Sequence, residues 1–134
     1  MAASLSAKAS ELFNEPNLVH LATLMADGSS QVSPVWVEYD NGSILINTAL
    51  GRIKPKNLDR DKRVALSLVD RNNAYRAVIV RGSVVEMTET GADAHIDKLA
   101  KKYLGVDSYP GRSAIEKRVI VRIQPERVSE MGLD

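Results

Sequence analysis

Two dipeptides, Asp27-Gly28 and Asn41-Gly42, each stand between short runs of apolar and β-branched residues. Pairs of this kind favour the left-handed backbone that reverses a chain between antiparallel strands, so the first half of the sequence is committed to hairpins. The runs are "LVHLATLM", "QVSPVWVEY" and "SILINT". In the second, Val35, Val37 and Tyr39 share one face while Trp36 and Glu38 take the other, the period-two alternation of a half-buried strand. Ile44 and Ile46 alternate with Leu45 and Asn47 in the third. Three antiparallel strands joined by two tight turns are expected. Pro34 lacks an amide proton and belongs at an edge, an end or a bulge.

The rest of the chain continues the theme. "VALSLV" is a fourth strand, "DRNN" a turn, and "AYRAVIVRGSVVEM" a long fifth strand in which Gly82 marks a bulge or bend. "EKRVIVRIQP" is a sixth, with Val119, Val121 and Ile123 on one side and Arg118, Ile120 and Arg122 on the other. Two helices flank this set. Ser4 or Ser6 can cap the first, in which Leu5, Ala9, Leu12 and Phe13 sit at helical spacing before Pro16 ends it. Thr88 or Thr90 can cap the second, with Ala92, His95, Ile96, Leu99 and Tyr103 as one stripe and Gly105 just beyond. Hairpins with helices near each end read as a mainly β, α+β domain: a six-stranded antiparallel barrel or half-barrel spanning residues 1–134. Trp36 and Ile120, apolar on the outer side of so small a barrel, suggest cover by a second copy, hence a homodimer.

Composition narrows the chemistry. Eighteen Lys and Arg against seventeen Asp and Glu leave a formal charge of +1, so no global field recruits nucleic acid or membrane, and any anion site is local. The absence of cysteine excludes disulfides, thiolate metal sites and cysteine nucleophiles. The N-terminal "MAASLSAKASELFNEPN" has no apolar leader core, and no apolar run reaches about eighteen residues, so a soluble, cytoplasmic protein is expected.

The local exception to this neutrality is "GRIKPKN", where Arg52, Lys54 and Lys56 crowd between Gly51 and Asn57. Pro55 disfavours helix at Lys54 and can itself start a short helix through Arg60, giving strand, loop and helix N-terminus. Such a terminus offers free amides and a positive dipole end, to which Arg52 adds a forked donor and Lys54 a point charge. A phosphate fits there. From the pattern alone, a solvated charged loop is the commoner meaning, and the stretch matches neither the P-loop nor the dinucleotide fingerprint.

Other residues carry less. His20 and His95 have no second ligand at metal spacing, and His95 lies on a packing stripe. Asp27, Asp40 and Asp70 sit in turns that use their side chains. Ser29, Ser30 and Ser33 have no base beside them. Tyr75 is either a donor at the barrel mouth or an ordinary strand aromatic. One Phe, one Trp and four Tyr, none alternating with a basic stripe, make a poor nucleic-acid platform.

The order of these pieces resembles the pyridoxamine 5′-phosphate oxidase-like split-barrel superfamily. The resemblance rests on "LATLMADGSSQVSPVWVEYDNGSILINT", "GRIKPKNLDRDKRVALSLVD" and "RVIVRIQPERV", within residues 15–131. Arg52, Lys54, Asn57, Leu58, Arg60 and Asp61 are similar in spacing to the branch of small deazaflavin-dependent oxidoreductases that use coenzyme F420. It implies a homodimeric six-stranded split barrel with two cofactor sites at the subunit interface. Arg52, Lys54 and Asn57 would then grip the cofactor phosphate, and Thr48 and Ala49 would add loop contacts. Gln31, Val32, Ser33, Pro34 and Val35 would lie along the tricyclic ring, and Lys56 and Arg60 would receive the acidic tail of F420. Tyr75 would stand near the ring of a neighbouring subunit, a candidate proton donor beside solvent or a nearby cation.

The resemblance also implies an activity. F420H2 would deliver a hydride to a small conjugated or heteroaromatic substrate, with few catalytic side chains needed. FMN is the alternative cofactor, since its terminal phosphate wants the same cations. A non-enzymatic barrel binding an anion or single-stranded nucleic acid is the third possibility. No metal or membrane partner is expected.

Overall fold

Asn41 (φ +48°) and Gly42 (φ +82°) both take the left-handed conformation, and they alone separate strand β3 (Glu38–Asp40) from strand β4 (Ser43–Ala49). This is the two-residue turn whose twist matches that of the strands it joins. The Asp27-Gly28 turn is longer. Leu24 of β1 (Val19–Leu24) pairs with Ser30 of β2 (Ser30–Val35), and a further Met25 N–H···O=C Ser29 bond of 2.8 Å closes the loop. There only Gly28 needs a positive φ, and the Asp27 carboxylate accepts from the Ser29 amide and hydroxyl.

The computed structural model describes residues 3–134, which form three helices and seven strands. Strand β5 is Arg63–Asp70, β6 is Asn73–Thr88 and β7 is Arg118–Met131. Helices α1, α2 and α3 are Ala7–Asn14, Ile53–Arg60 and Ala92–Leu104. All strands join one sheet in the order β2-β1-β5-β6-β7-β4-β3, every neighbouring pair antiparallel.

Seven strands replace the expected six because "QVSPVWVEY" is not one strand. Its first part pairs with β1 and its last with β4, so Trp36 and Val37 bridge the two opposite edges of the sheet. Two residues span little distance, and the sheet must curl until its edges nearly meet. It does not close through hydrogen bonds, so the barrel is split at this link. β6 also runs past β7 with register shifts at Arg81/Gly82 and Val84/Glu86, and β7 continues to Met131, six residues beyond the expected Pro125.

Inside the curl lie Leu21, Ile44, Ile46, Leu68, Val78, Val121 and Ile123, all fully buried. Helix α1 stops one end. Ser6 Oγ accepts the Ala9 amide at 3.1 Å as its cap, and Ala9, Leu12 and Phe13 enter the core. Burying Leu12 and Phe13 is worth about 1.5–3 kcal/mol each. Asn17, also fully buried, joins three elements: its amide donates to Leu12 O, its side-chain oxygen accepts from Arg71 N, and its backbone oxygen accepts from Tyr103 Oη.

Helix α3 has a different cap from either expected threonine. Gly91 (φ +77°) precedes it, while Thr88 Oγ1 accepts from the Thr90 amide instead. Trp36 stacks on Tyr103 of this helix, ring centroids 5.3 Å apart and nearly parallel, with Tyr109 edge-on at 6.0 Å. One face of Trp36 is therefore covered from within its own chain. No helix among the described residues is long and apolar enough to cross a membrane.

Candidate functional site

Strand β4 ends at Ala49, and Gly51 (φ +92°) then turns the chain sharply into α2. Arg52 is the N-cap residue, its amide bonded to Ala49 O at 3.3 Å. The helix begins at Ile53, two residues before the expected start at Pro55. The first helical amides have no partner within a helix, so a proline in the first turn removes no bond and Lys54 can be helical. Ile53 and Lys54 thus offer amides toward the space in front of the helix, at the positive end of its dipole.

That space is a cleft of about 370 Å³ between α2, the β2–β3 link, the β4–β7 pair and α3. Leu18, Pro34, Val35, Trp36, Ile96 and Tyr109 supply apolar and aromatic walls. Asn47, Thr48, Arg52, Lys54 and Arg118 supply the polar ones. Lys54 Nζ donates to Ser33 Oγ at 2.9 Å, and burial, helped by the neighbouring Arg52 charge, lowers its pKa from the usual lysine value. Arg52 Nη2 pairs with Glu116 Oε2 at 2.7 Å, and that hydrogen bond lowers the pKa of Glu116.

Arg118 at the start of β7 has a side chain only 6 % exposed. Its Nε donates to Asn47 Oδ1 at 2.8 Å, and its guanidinium lies 5.3 Å from the Tyr109 ring centroid. An arginine only donates, so the Asn47 oxygen must face it and the Asn47 amide nitrogen faces His95 Nδ1, 3.1 Å away. His95 therefore accepts at Nδ1 and donates from Nε2 to Glu38 Oε1 at 3.1 Å. Burial holds the pKa of His95 below the usual histidine value, in spite of Glu38.

Of the residues expected from sequence, Pro34, Val35, Thr48, Arg52 and Lys54 come together on this cleft, with Ser33 held by Lys54. Gln31 Oε1 sits 3.5 Å from Thr23 Oγ1, and Val32 is on the opposite, exposed face of β2. Ala49 is buried and serves the turn. Asn57 is behind the helix: its amide donates to Thr23 Oγ1 and its oxygen accepts from Arg60, which also reaches Leu24 O. The Asn57 side chain, only 3 % exposed, thus clamps α2 to β1 rather than facing the cleft. Lys56 is exposed, and Tyr75 stands 85 % exposed at the start of β6, outside the cleft.

Sequence reasoning missed Arg118, Asn47 and Tyr109. The one signal was a basic residue just before the apolar run that opens β7, "RVIV". Burial with free hydrogen-bonding capacity is what marks the site in space: Thr48 Oγ1 and Arg118 Nη1 are buried and have no hydrogen-bond partner among the described residues. Thr48 and Arg118 both line the cleft. Leaving such groups unpaired costs about 1–3 kcal/mol each, more for a charge. Such walls suit a group that carries acceptor oxygens on an apolar body.

The family model of pyridoxamine 5′-phosphate oxidase matches residues 5–132. Among solved structures, an F420 reductase is 30% identical, covering 90% of this chain and 94% of its own at a TM-score of 0.79. A conserved hypothetical protein, Rv2991 from Mycobacterium tuberculosis, is 24% identical over 97% of this chain and 86% of its own, at a TM-score of 0.74. General stress protein 26 from Bacillus anthracis shares the fold at 14% identity, with coverages of 95% and 93% and a TM-score of 0.70. No curated protein matches the chain.

Proposed function

The chain belongs to the pyridoxamine 5′-phosphate oxidase family, and from that premise we propose that it is an oxidoreductase that uses the deazaflavin F420 to reduce a small conjugated or heteroaromatic substrate. An oxidoreductase of the split-barrel class agrees with the family and with the F420 reductase among its structural relatives. The observation that carries the finer reading is the cleft itself. It joins apolar and aromatic walls to Arg52, Lys54 and two unpartnered buried polar atoms at one end.

Arg52 and Lys54, with the Ile53 and Lys54 amides, would hold the cofactor phosphate at the α2 N-terminus. Trp36, Val35 and Pro34 would lie along the ring, and Ile96 and Leu18 would keep water from it. Bound F420 supplies a hydride at its central ring carbon. The residues of this chain bind, orient and dehydrate; a proton for the reduced product comes from solvent or from a cation such as Lys54, whose lowered pKa eases its release.

A homodimer belongs to this reading. The strand registers put Ala22, Val32, Ala65, Ser67, Val69, Ala77, Ile79 and Met131 on one sheet face. Val32, Val69, Ile79 and Met131 are exposed there. They share that face with His20, Arg81 and Arg127, and exposed apolar side chains gathered on a sheet face are a common mark of an interface. Tyr75 alternates onto the same face of β6, so pairing would carry it toward a neighbouring copy.

Titration of the purified protein with F420 and with FMN tests the cofactor. Tighter quenching of deazaflavin fluorescence by this protein than of FMN fluorescence is expected. Tight FMN binding without F420 binding would replace the reading with its flavin counterpart.

A further inference from the structure

Glu116, in the segment that precedes β7, stands beside two arginines of the cleft wall, Arg52 and Arg118. A backbone bond of 2.9 Å from Leu50 N to Lys117 O continues the β4–β7 ladder and holds this segment beside the Gly51 turn. The two Glu116 oxygens then face two different guanidinium groups. Oε2 meets Arg52 Nη2 at 2.7 Å, while Oε1 stands 3.6 Å from Arg118 Nη1. The second distance is too long for a hydrogen bond.

We infer that the Glu116 carboxylate is an internal stand-in for a ligand phosphate, and that Arg118 Nη1 and Thr48 Oγ1 complete with Arg52 the anion site it occupies. The inference rests on the phosphate-bearing cofactor proposed above. A carboxylate has two oxygens on one plane, and here it hydrogen-bonds only Arg52. Thr48 Oγ1 and Arg118 Nη1 remain without a partner among the described residues, and both residues line the same cleft. A phosphate presents at least two further acceptor lone-pair directions and can serve all three groups.

The energetic balance favours exchange. The Arg52–Glu116 pair is partly solvated, with side chains 48 % and 29 % exposed, and pairs of this kind hold weakly. Arg118 is a buried charge fixed by Asn47 and Tyr109, and an incompletely paired buried charge is costly. An incoming phosphate therefore breaks a weak contact and completes a strong one. Glu116 sets the threshold for binding: it occupies Arg52 in the free protein, stands close to Arg118, and competes with the ligand for both.

The test uses inorganic phosphate at constant ionic strength, followed through the side-chain Nε–H resonances of Arg52 and Arg118 in the full chain. Both resonances should move together, and Glu116→Gln should lower the half-saturating phosphate concentration by about two- to fivefold, the size of one partly solvated ion pair. Thr48→Val gives a separate readout. It should leave stability unchanged or raised, because it deletes an unpartnered buried hydroxyl, yet weaken phosphate binding. An unchanged half-saturation in Glu116→Gln, or a shift of Arg52 without Arg118, overturns the inference. Phosphate behaving as stated while neither F420 nor FMN binds would sustain the anion site and sink the proposed cofactor; F420 binding indifferent to Glu116→Gln would do the reverse.

Discussion

Lys54 Nζ donates to Ser33 Oγ at 2.9 Å, joining the first turn of α2 to the inner face of β2. The contact holds an ammonium group on the cleft wall, half-buried and without a carboxylate partner among the described residues.

Lys54→Ala should weaken cofactor binding by about 1.5–3 kcal/mol, as loss of a charge-assisted hydrogen bond does. Ser33→Ala should cost less, about 0.5–1.5 kcal/mol, because it removes only the positioning bond. Fluorescence titration with F420 reads both, and unchanged affinity in Lys54→Ala removes this residue from the site.

Asn57→Ala should act on stability first. It deletes the bonds to Thr23 and Arg60 in a site only 3 % exposed, for an expected loss of about 1–3 kcal/mol in urea unfolding. Any fall in cofactor affinity should follow from a loosened α2. A variant as stable as the parent but unable to bind would instead make Asn57 a direct ligand.

His95 should titrate below the ordinary histidine value, because burial disfavours its charge and Asn47 already donates to Nδ1. The folded pKa then lies under the unfolded one of about 6.5. Between the two, the unfolded chain binds more protons, so this contribution to stability is present above about pH 6.5 and is lost as pH falls through the folded pKa. Nuclear magnetic resonance of the ring proton would follow it. Glu38→Gln should push the pKa lower still, since the Glu38 charge is what raises it.

Gly82→Ala tests the bulge between β6 and β7. A Cβ on this residue would stand 2.3 Å from the backbone oxygen of Gln124, with Pro125 Cα at 3.3 Å. Neither backbone atom belongs to a flexible side chain, so the strands must part, at an expected cost of about 1–3 kcal/mol. Chemical unfolding checks it; a neutral substitution would mean that the two strands separate without strain.

The hairpins were legible because their causes are local. Asn41-Gly42 determines its own turn, and alternation around it tells which side chains enter the core. The division of β2 from β3 was not legible, since Trp36 and Val37 continue the alternation unbroken and only the opposite sheet edges decide where each half pairs. The loop "GRIKPKN" displayed its charge in sequence, but the direction of Asn57 depended on Thr23 and Arg60 across the fold. Arg118 was hidden for a related reason. An arginine at a strand start ordinarily points to solvent, and only α3 and Tyr109 closing over it turn it into a buried group.

Residues 106–117 lean on the rest of the protein at few points. The Tyr109 amide and the Arg112 guanidinium both reach Asp97, and Lys117 O accepts from Leu50. No strand of the sheet passes through this stretch, yet it contributes one aromatic wall of the cleft and the carboxylate that pairs with Arg52. Selection could therefore exchange it as a cassette, altering what enters the cleft while the sheet, the α2 turn and the core stay as they are. Such a chain can diversify its chemistry without revisiting its folding problem.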